Sequence, residues 1–369
     1  MDKKIKDFGN TIMRLIRKEN LSKLETFEAF RQILVDEQPE IQQGAFLAAL
    51  NAKGETAQEI AGSWEAIYML DTVKITPDSQ LPVVDNCGTG MDTLKTFNIS
   101  TAAAVVAATC GVVMAKHGAR AITSSCGTID VLEAIGLDVE CDPIIVKNSI
   151  EEAGIGIFNG MSPKVHPKAL GRILSQIAFG TTLNISASLA NPALPRFAVR
   201  GVYSKEMVKP TAVVMKEIGY KRAIVMHGLD KDGKLGMDEA SILGETVIAE
   251  LKETGAIEQY SIFPEEFDIG HQEYQEIFPY KTVKEEASRL VGILKGITNG
   301  PCLDIVCLNA SLLLYLMDIA PNILKGYKMA KEIIKSGSAI EKLREWVRVQ
   351  QSYKGSGISI FENIYNERN

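Results

Sequence analysis

The chain has 369 residues, more than one hydrophobic core usually serves, so two domains, or one large domain with a small appendage, are expected. With 46% hydrophobic and 23% charged residues and a net charge of -6, the composition is that of a soluble globular protein and argues against a broad nucleic-acid footprint, which needs a basic surface. Six cysteines without a Cys-x-x-Cys pair read as reduced, partly buried thiols rather than as a disulfide frame or a zinc site.

The opening MDKKIKDFGN is charged and lacks an apolar core, so no signal peptide is expected and the cytoplasm is the default location. Residues 1 to about 77 read as helices. Leu21-Ser22 precedes a run that places Phe27, Phe30 and Leu34 on one face; after Pro39 a second run groups Phe46, Leu47 and Leu50 before Gly54 stops it. Thr56 with Glu59 forms a capping box for a third helix carrying Ile60, Trp64 and Ile67. No catalytic pattern is visible here, and a small helical domain packed on the rest of the chain or on a second subunit is the expectation.

From Val83 the pattern changes to short apolar strands alternating with helices. Strands are expected at Val83-Val84, from Val112 to Ala115, from Gly154 to Phe158, from Arg222 to Met226 and from Asp304 to Leu308, with a helix from Asp130 to Ile135. Such alternation predicts an α/β domain with a largely parallel sheet covered on both faces, and places ligands at the carboxyl ends of the strands. The apolar stretch from Ala102 to Ala115 is too short and too rich in alanine to span a bilayer. Between His166 and Pro195 few charges and many small polar residues suggest a helical excursion that returns to the N-terminal domain and walls one side of a cleft. Ile323 to Arg348 reads as helical scaffold.

Three stretches carry chemistry. In VVDNCGTGMDTLKTFNIST (83 to 101), an apolar run gives way to Gly88, Thr89 and Gly90, then to Asn98, Ser100 and Thr101 opening an alanine-rich helix. Glycines let backbone N–H groups turn inward, and hydroxyls with a helix N-terminus complement anionic oxygens. No Gly-Lys-Ser/Thr follows, so the loop is neither a Walker A loop nor a dinucleotide fingerprint. An ordinary strand-to-helix turn is equally compatible with these residues alone. Lys116-His117-Gly118, Arg120 and the polar run containing Ser124 and Gly127 form a second loop suited to an anion with several oxygens. Asp238-Glu239 offers adjacent carboxylates to a hard cation such as Mg²⁺, although an acidic pair at a helix start would look the same. The four histidines show no metal-ligand spacing, and no nucleophile elbow or Cys/His arrangement stands out.

These stretches, together with GAFLAALNAKGETAQEIAG, KHGARAITSSCGTIDVLEAIG, MSPKVHP, NPA at 191 to 193, GVYSKEMV, GMDEASILGETVIAEL, PEEF at 264 to 267 and DIVCLNAS, resemble the anthranilate phosphoribosyltransferases over nearly the whole chain. More widely, the resemblance is to glycosyltransferases that share their fold with pyrimidine nucleoside phosphorylases. It implies a small all-helical domain (1–78 with the excursion at about 167–192), a larger α/β domain (79–166 and 193–369) with a mostly parallel central sheet, a cleft between them, and a homodimer through the helical domain. The implied reaction moves the phosphoribosyl group of 5-phosphoribosyl 1-diphosphate (PRPP) to the amine of anthranilate with Mg²⁺, a step in tryptophan biosynthesis. Residue by residue, the resemblance assigns Gly88, Thr89, Gly90, Asp92, Thr96, Asn98, Ser100, Thr101, Lys116, Ser124 and Gly127 to PRPP, and Ser100, Asp238 and Glu239 to Mg²⁺. It places His117, Gly118 and Ala119 beside the acceptor. No side chain is singled out as catalytic base.

Four departures bear on this expectation. Met91 replaces a loop glycine, and Ala119 replaces an asparagine near the acceptor. The family arginine that meets the acceptor carboxylate is replaced by Leu174 or Gln176, with Arg172 nearby, and Ala187-Ser188-Leu189 stands for Gly-Pro-Leu. Three of the four fall on the acceptor side, so either Arg172 substitutes or the acceptor is another aromatic amine or base. A non-catalytic relative binding a phosphorylated ligand or nucleic acid through the same cleft is the alternative of a different class.

Overall fold

In the computed structural model, which describes residues 3–90, 92–120, 126–177, 179–353 and 357–367, the chain opens with four helices: α1 (Lys3–Ile16), α2 (Lys23–Leu34), α3 (Glu40–Lys53) and α4 (Ala57–Leu70). Ser22 and Thr56 close capping boxes with Glu25 and Glu59, so the second and fourth helices begin where their orphan N–H groups find partners. The apolar core of the bundle gathers around Phe30 on α2 and Phe46 on α3, whose rings contact edge to face with centroids 5.6 Å apart. Truncating such a buried ring to alanine typically costs about 3–5 kcal/mol.

The rest of the chain alternates strand and helix: β1 (Val83–Cys87), α5 (Ile99–Thr109), β2 (Val113–Gly118), α6 (Thr128–Ile135), α7 (Pro143–Ala153) and β3 (Ile155–Asn159), then α8 (Leu170–Gln176) and α9 (Thr182–Leu189). It continues through β4 (Phe197–Gly201), α10 (Val208–Glu217), β5 (Arg222–Leu229), β6 (Gly236–Met237), β7 (Thr246–Leu251) and β8 (Ile257–Ile262). Five helices close it: α11 (Val283–Leu294), α12 (Pro301–Leu316), α13 (Ile323–Lys335), α14 (Ser338–Val349) and α15 (Ile358–Glu367). The sheet runs β3-β2-β1-β4-β5-β7-β8, parallel from β3 to β5 and antiparallel thereafter, with β6 added antiparallel to β5. The mostly parallel α/β architecture beside a small helical domain is the one the sequence predicts.

From β1 the chain steps outward to β2 and β3, returns through α8 and α9, and resumes on the other side of β1 with β4. The strand order therefore reverses between β1 and β4, the crevice where open α/β sheets bind ligands. One sheet face packs on α5 and α11–α14; the other continues into the core of the helical domain, to which α8 and α9 contribute Leu170, Ile173, Leu183 and Leu189. Trp64 Nε1 donates to Leu189 O at 2.9 Å, tying α4 to the end of α9.

One expected strand is a helix. Asp304 to Leu308 lies inside α12, where Pro301 occupies the first turn and 12 of 16 residues are buried. A helix enclosed on nearly all sides shows no polar stripe, so its short apolar run resembles a buried strand.

Candidate active site

The turn after β1 brings a glycine loop against residues from far along the chain. A Cβ at Gly88 would stand 2.2 Å from Asp238 Oδ2, so only glycine permits this approach. Gly90, at φ +70°, donates its N–H to the same oxygen at 2.6 Å. At the start of α5, Asn98 makes no side-chain cap, and Ser100 N–H donates instead to Glu239 Oε1 at 3.2 Å. The two carboxylates thus sit where a helix N-terminus and a glycine loop attract anionic oxygens. Thr93 fastens the loop to Gly236 O, and Lys95 Nζ reaches both Asp92 Oδ1 (2.9 Å) and Gly90 O (3.1 Å).

Asp238 and Glu239 follow β6 and are clamped from below. Asn309 on α12 accepts from Ala240 N–H at 2.9 Å and donates to Ala240 O at 3.0 Å. Gly201, at the end of β4, lies so close beneath Asp238 that a Cβ would fall 1.6 Å from its carbonyl oxygen. Burial, with the neighbouring Asp92 charge, pushes Asp238 up to about 6; burial, with Asp238 beside it, holds Glu239 well above the usual carboxylate range. Two buried carboxylates under mutual repulsion suit a hard divalent cation, which relieves both costs. Among the described residues no group of three or more acidic, histidine or cysteine side chains forms a closed protein cage. The donors fit Mg²⁺ held by one or two carboxylates together with substrate oxygens.

Lys116 is buried in β2 and donates to Asn86 O (2.8 Å) and Asn86 Oδ1 (2.7 Å), while Asn86 Nδ2 donates to Ser100 O. The lysine thereby stands behind the loop and the first turn of α5. Burial lowers its pKa, and the Asp85 and Glu239 charges oppose that shift. The Thr89 and Thr101 hydroxyls are buried without partners, two donors left over for a ligand. Thr96 and Asn98 are half-buried on the same loop.

His117 points to the opposite sheet face from Lys116, as alternation requires. Its ring packs 5.5 Å from that of His166, and its Nε2 lacks a partner; burial, with His166 adjacent, drives its pKa down to about 3. Gly118 is half-buried, Ala119 is exposed, and Gly127 caps the start of α6 with its N–H donated to Asp130 Oδ2. Ser124 and Met91 lie outside the described residues. Arg120 is committed elsewhere, pairing with Asp130, Glu133 and Glu140.

Arg172 and Gln176 are not brought to these loops. The Arg172 guanidinium donates to Gln43 Oε1 and Ile33 O and pairs with Asp36, and Gln176 donates to Glu40, all in the helical domain. Four residues that the sequence reading did not single out surround or brace these loops instead. Asp85 accepts from His117 N–H and from Asn191 Nδ2, which also donates to Ala115 O and so ties α9's exit to β1 and β2. Arg200, buried at the end of β4, donates to Cys87 Sγ and to Ser188. Asn309 is the fourth. No local signal marks Asp85 in the middle of β1, Arg200 near the end of β4 or Asn309 in the middle of α12.

The chain is similar to known proteins over most of its length. Residues 80–340 match the model of the glycosyl transferase family α/β domain, and residues 10–69 match its helical bundle domain. An anthranilate phosphoribosyltransferase of Thermoanaerobacter is 37% identical over 342 residues, 92% of this chain and 98% of that protein. The crystal structure of the Thermus thermophilus anthranilate phosphoribosyltransferase matches with a TM-score of 0.82 and 31% identity, covering 92% of this chain and 98% of that one. The Saccharomyces cerevisiae enzyme, solved with PRPP and Mg, shares the fold at a TM-score of 0.79 and 24% identity over 93% of this chain and 99% of its own. These likenesses give no support to a non-catalytic binding module.

Proposed function

Because this chain belongs to the anthranilate phosphoribosyltransferase family, a family of pentosyltransferases, we propose that it transfers the phosphoribosyl group of PRPP to the amine of anthranilate with release of pyrophosphate, in tryptophan biosynthesis. The observation that carries this reading is the meeting of Asp238 and Glu239 with the Gly88–Gly90 loop and the first turn of α5. The same reading places the enzyme in the cytoplasm and makes it a homodimer through its helical domain, with the cleft between residues 1–78 plus 167–192 and the remainder.

In this reading Gly88, Thr89, Gly90, Asp92, Thr96, Asn98, Ser100, Thr101, Lys116, Ser124 and Gly127 hold PRPP, and Ser100, Asp238 and Glu239 hold Mg²⁺. Bound there, Mg²⁺ supplies positive charge to the departing diphosphate. The chain's own part is positional and electrostatic. Loop N–H groups, the α5 N-terminus and Lys116 stabilise negative charge that grows as the bond from C1 to the diphosphate oxygen breaks. The amine lone pair forms the new bond at C1 from the side lined by His117, Gly118 and Ala119, and its proton leaves afterwards to solvent. An aromatic amine is already a nucleophile, so orientation rather than a strong base carries the step.

The test is pyrophosphate release by purified protein with PRPP and Mg²⁺ across anthranilate, other aromatic amines and nitrogen bases. Turnover with anthranilate supports the reading; release with a different acceptor alone refutes the acceptor, and binding of PRPP without turnover on any acceptor refutes the enzyme.

A further inference from the structure

Arg200 is the buried cation that the donor site leaves unused. Its residue is 2% exposed, yet among the described residues it forms no ion pair. One guanidinium nitrogen donates to Cys87 Sγ and distantly to Ser188 O (3.4 Å), the second to Ser188 Oγ, and Nε is buried without a partner. None of these partners supplies a counter-charge. The Cys87 thiol is pushed up to about 11 by burial and stays neutral. Asp85, on the same sheet face and within electrostatic reach but not ion-paired, spends its oxygens on His117 N–H and Asn191 Nδ2. A buried guanidinium held by neutral groups is costly, and an anion reaching it recovers that cost.

Position then selects the anion. Arg200 pairs in register with Cys87, the residue immediately before Gly88, so it borders the donor loop. It lies on the sheet face of Asp85 and His117, opposite that of Lys116 and Asn86, which serve the loop and helix end. Its partners Cys87 and Ser188 are only half-buried and line the cleft at the end of α9. The other arginines near the excursion are engaged elsewhere, Arg172 with the helical domain and Arg196 with Ile218 O and Gly219 O. Only three of the five Arg200 N–H donors have partners among the described residues, so a planar fork one step from the donor loop and walled by α9 keeps donors for a planar carboxylate.

We propose that Arg200 binds the acceptor's carboxylate, with Ser188 holding the guanidinium in place until the acceptor arrives. This rests on the proposed transferase activity. An ortho-amino carboxylate anchored there presents its amine toward the donor loop, whereas a neutral aromatic amine gains nothing from the arginine.

The experiment compares anthranilate with anthranilamide, as substrates or competing ligands, in the wild type, in Arg200→Gln and in Ser188→Asp, with calorimetric PRPP binding as the check that each variant is folded. For Arg200→Gln the KM for anthranilate should rise about ten- to a hundredfold, and the preference for anthranilate over anthranilamide should collapse by a similar factor, with kcat changed less. Ser188→Asp, which places a carboxylate on the guanidinium, should produce the same loss of preference and decides the matter if Arg200→Gln fails to fold. A wild type that uses anthranilate while a folded variant keeps the preference overturns the role of Arg200 and leaves the activity standing. A wild type that turns over no acceptor, or only a neutral base, overturns both.

Discussion

Gly90 N–H donates to Asp238 Oδ2 at 2.6 Å, so a carboxylate of the chain itself occupies the seat that the loop would offer to a diphosphate oxygen. Glu239 does the same at Ser100 N–H. A polyanion entering this site meets two buried acids before it meets the N–H donors, and a divalent cation converts that repulsion into attraction. PRPP binding is therefore expected to depend on Mg²⁺. Asp238→Asn with Glu239→Gln should lower Mg²⁺-dependent turnover by about a hundredfold or more, comparable with removing charge stabilisation from a leaving group. Melting temperature should hold or rise, since two desolvated carboxylates are lost. Unchanged dependence on Mg²⁺ would remove these residues from the site.

Gly88→Ala tests the close approach. The added methyl would stand 2.2 Å from Asp238 Oδ2 and must displace that carboxylate or the loop. Overpacking of this kind costs roughly 1–3 kcal/mol. KM for PRPP should rise about tenfold while circular dichroism stays that of the wild type. A variant with normal KM would show that the loop opens away from Asp238 before donor binds.

The loops at Gly88 and Lys116 were legible because their chemistry is local: glycines, hydroxyls and a lysine follow apolar strands within a few residues. Asp238 and Glu239 were legible as a candidate pair, but their contact with Gly90 and Ser100 spans more than a third of the chain and is a product of topology. Asp85 ends a run read as strand, and Arg200 lies in β4, a strand the sequence reading did not mark; in neither place does anything local say which face a charged residue takes. Arg172 misled for the reverse reason, since a charge in the right segment can turn to Gln43 and Ile33 O instead of the cleft. The strand expected from Asp304 to Leu308 failed because helix α12 is enclosed nearly all round.

His117 gives the protein an acid-sensitive core. Burial holds its folded pKa down at about 3, against about 6.5 for an exposed histidine, and burial lowers His166 as well. Between those values the unfolded chain binds a proton that the folded imidazole refuses. Stability from His117 is complete above pH 6.5 and is lost as pH falls, by about 1.4 kcal/mol per unit. Asp85, Asp238 and Glu239, raised in the folded state, act in the opposite sense. The contribution is therefore read as a difference: urea unfolding of wild type and His117→Gln at pH 7.5 and 5 should show the variant losing about 1–2 kcal/mol less on acidification. Equal losses would mean that the histidine accepts its proton without opening the core.

Asn309 offers the sharpest separation of positioning from chemistry. It is buried in α12, is placed in none of the proposed ligand contacts, and grips both backbone groups of Ala240, the residue after Glu239. Its amide also donates to Ile305 O at 2.9 Å within its own helix. Asn309→Ala leaves the Ala240 N–H and carbonyl without those partners, a loss of about 1–3 kcal/mol for buried groups. The acidic pair would then be free to drift relative to the Gly88 loop. Turnover should fall about tenfold at limiting Mg²⁺ and recover at least partly as Mg²⁺ is raised, because a loosened pair binds the cation more weakly but keeps its donors. Asn309→Asp, which can accept from Ala240 N–H but in its charged form cannot donate to the carbonyl, should fall between alanine and wild type in melting temperature. A decline in turnover that high Mg²⁺ does not relieve would show that the clamp serves the fold alone and not the placement of Asp238 and Glu239.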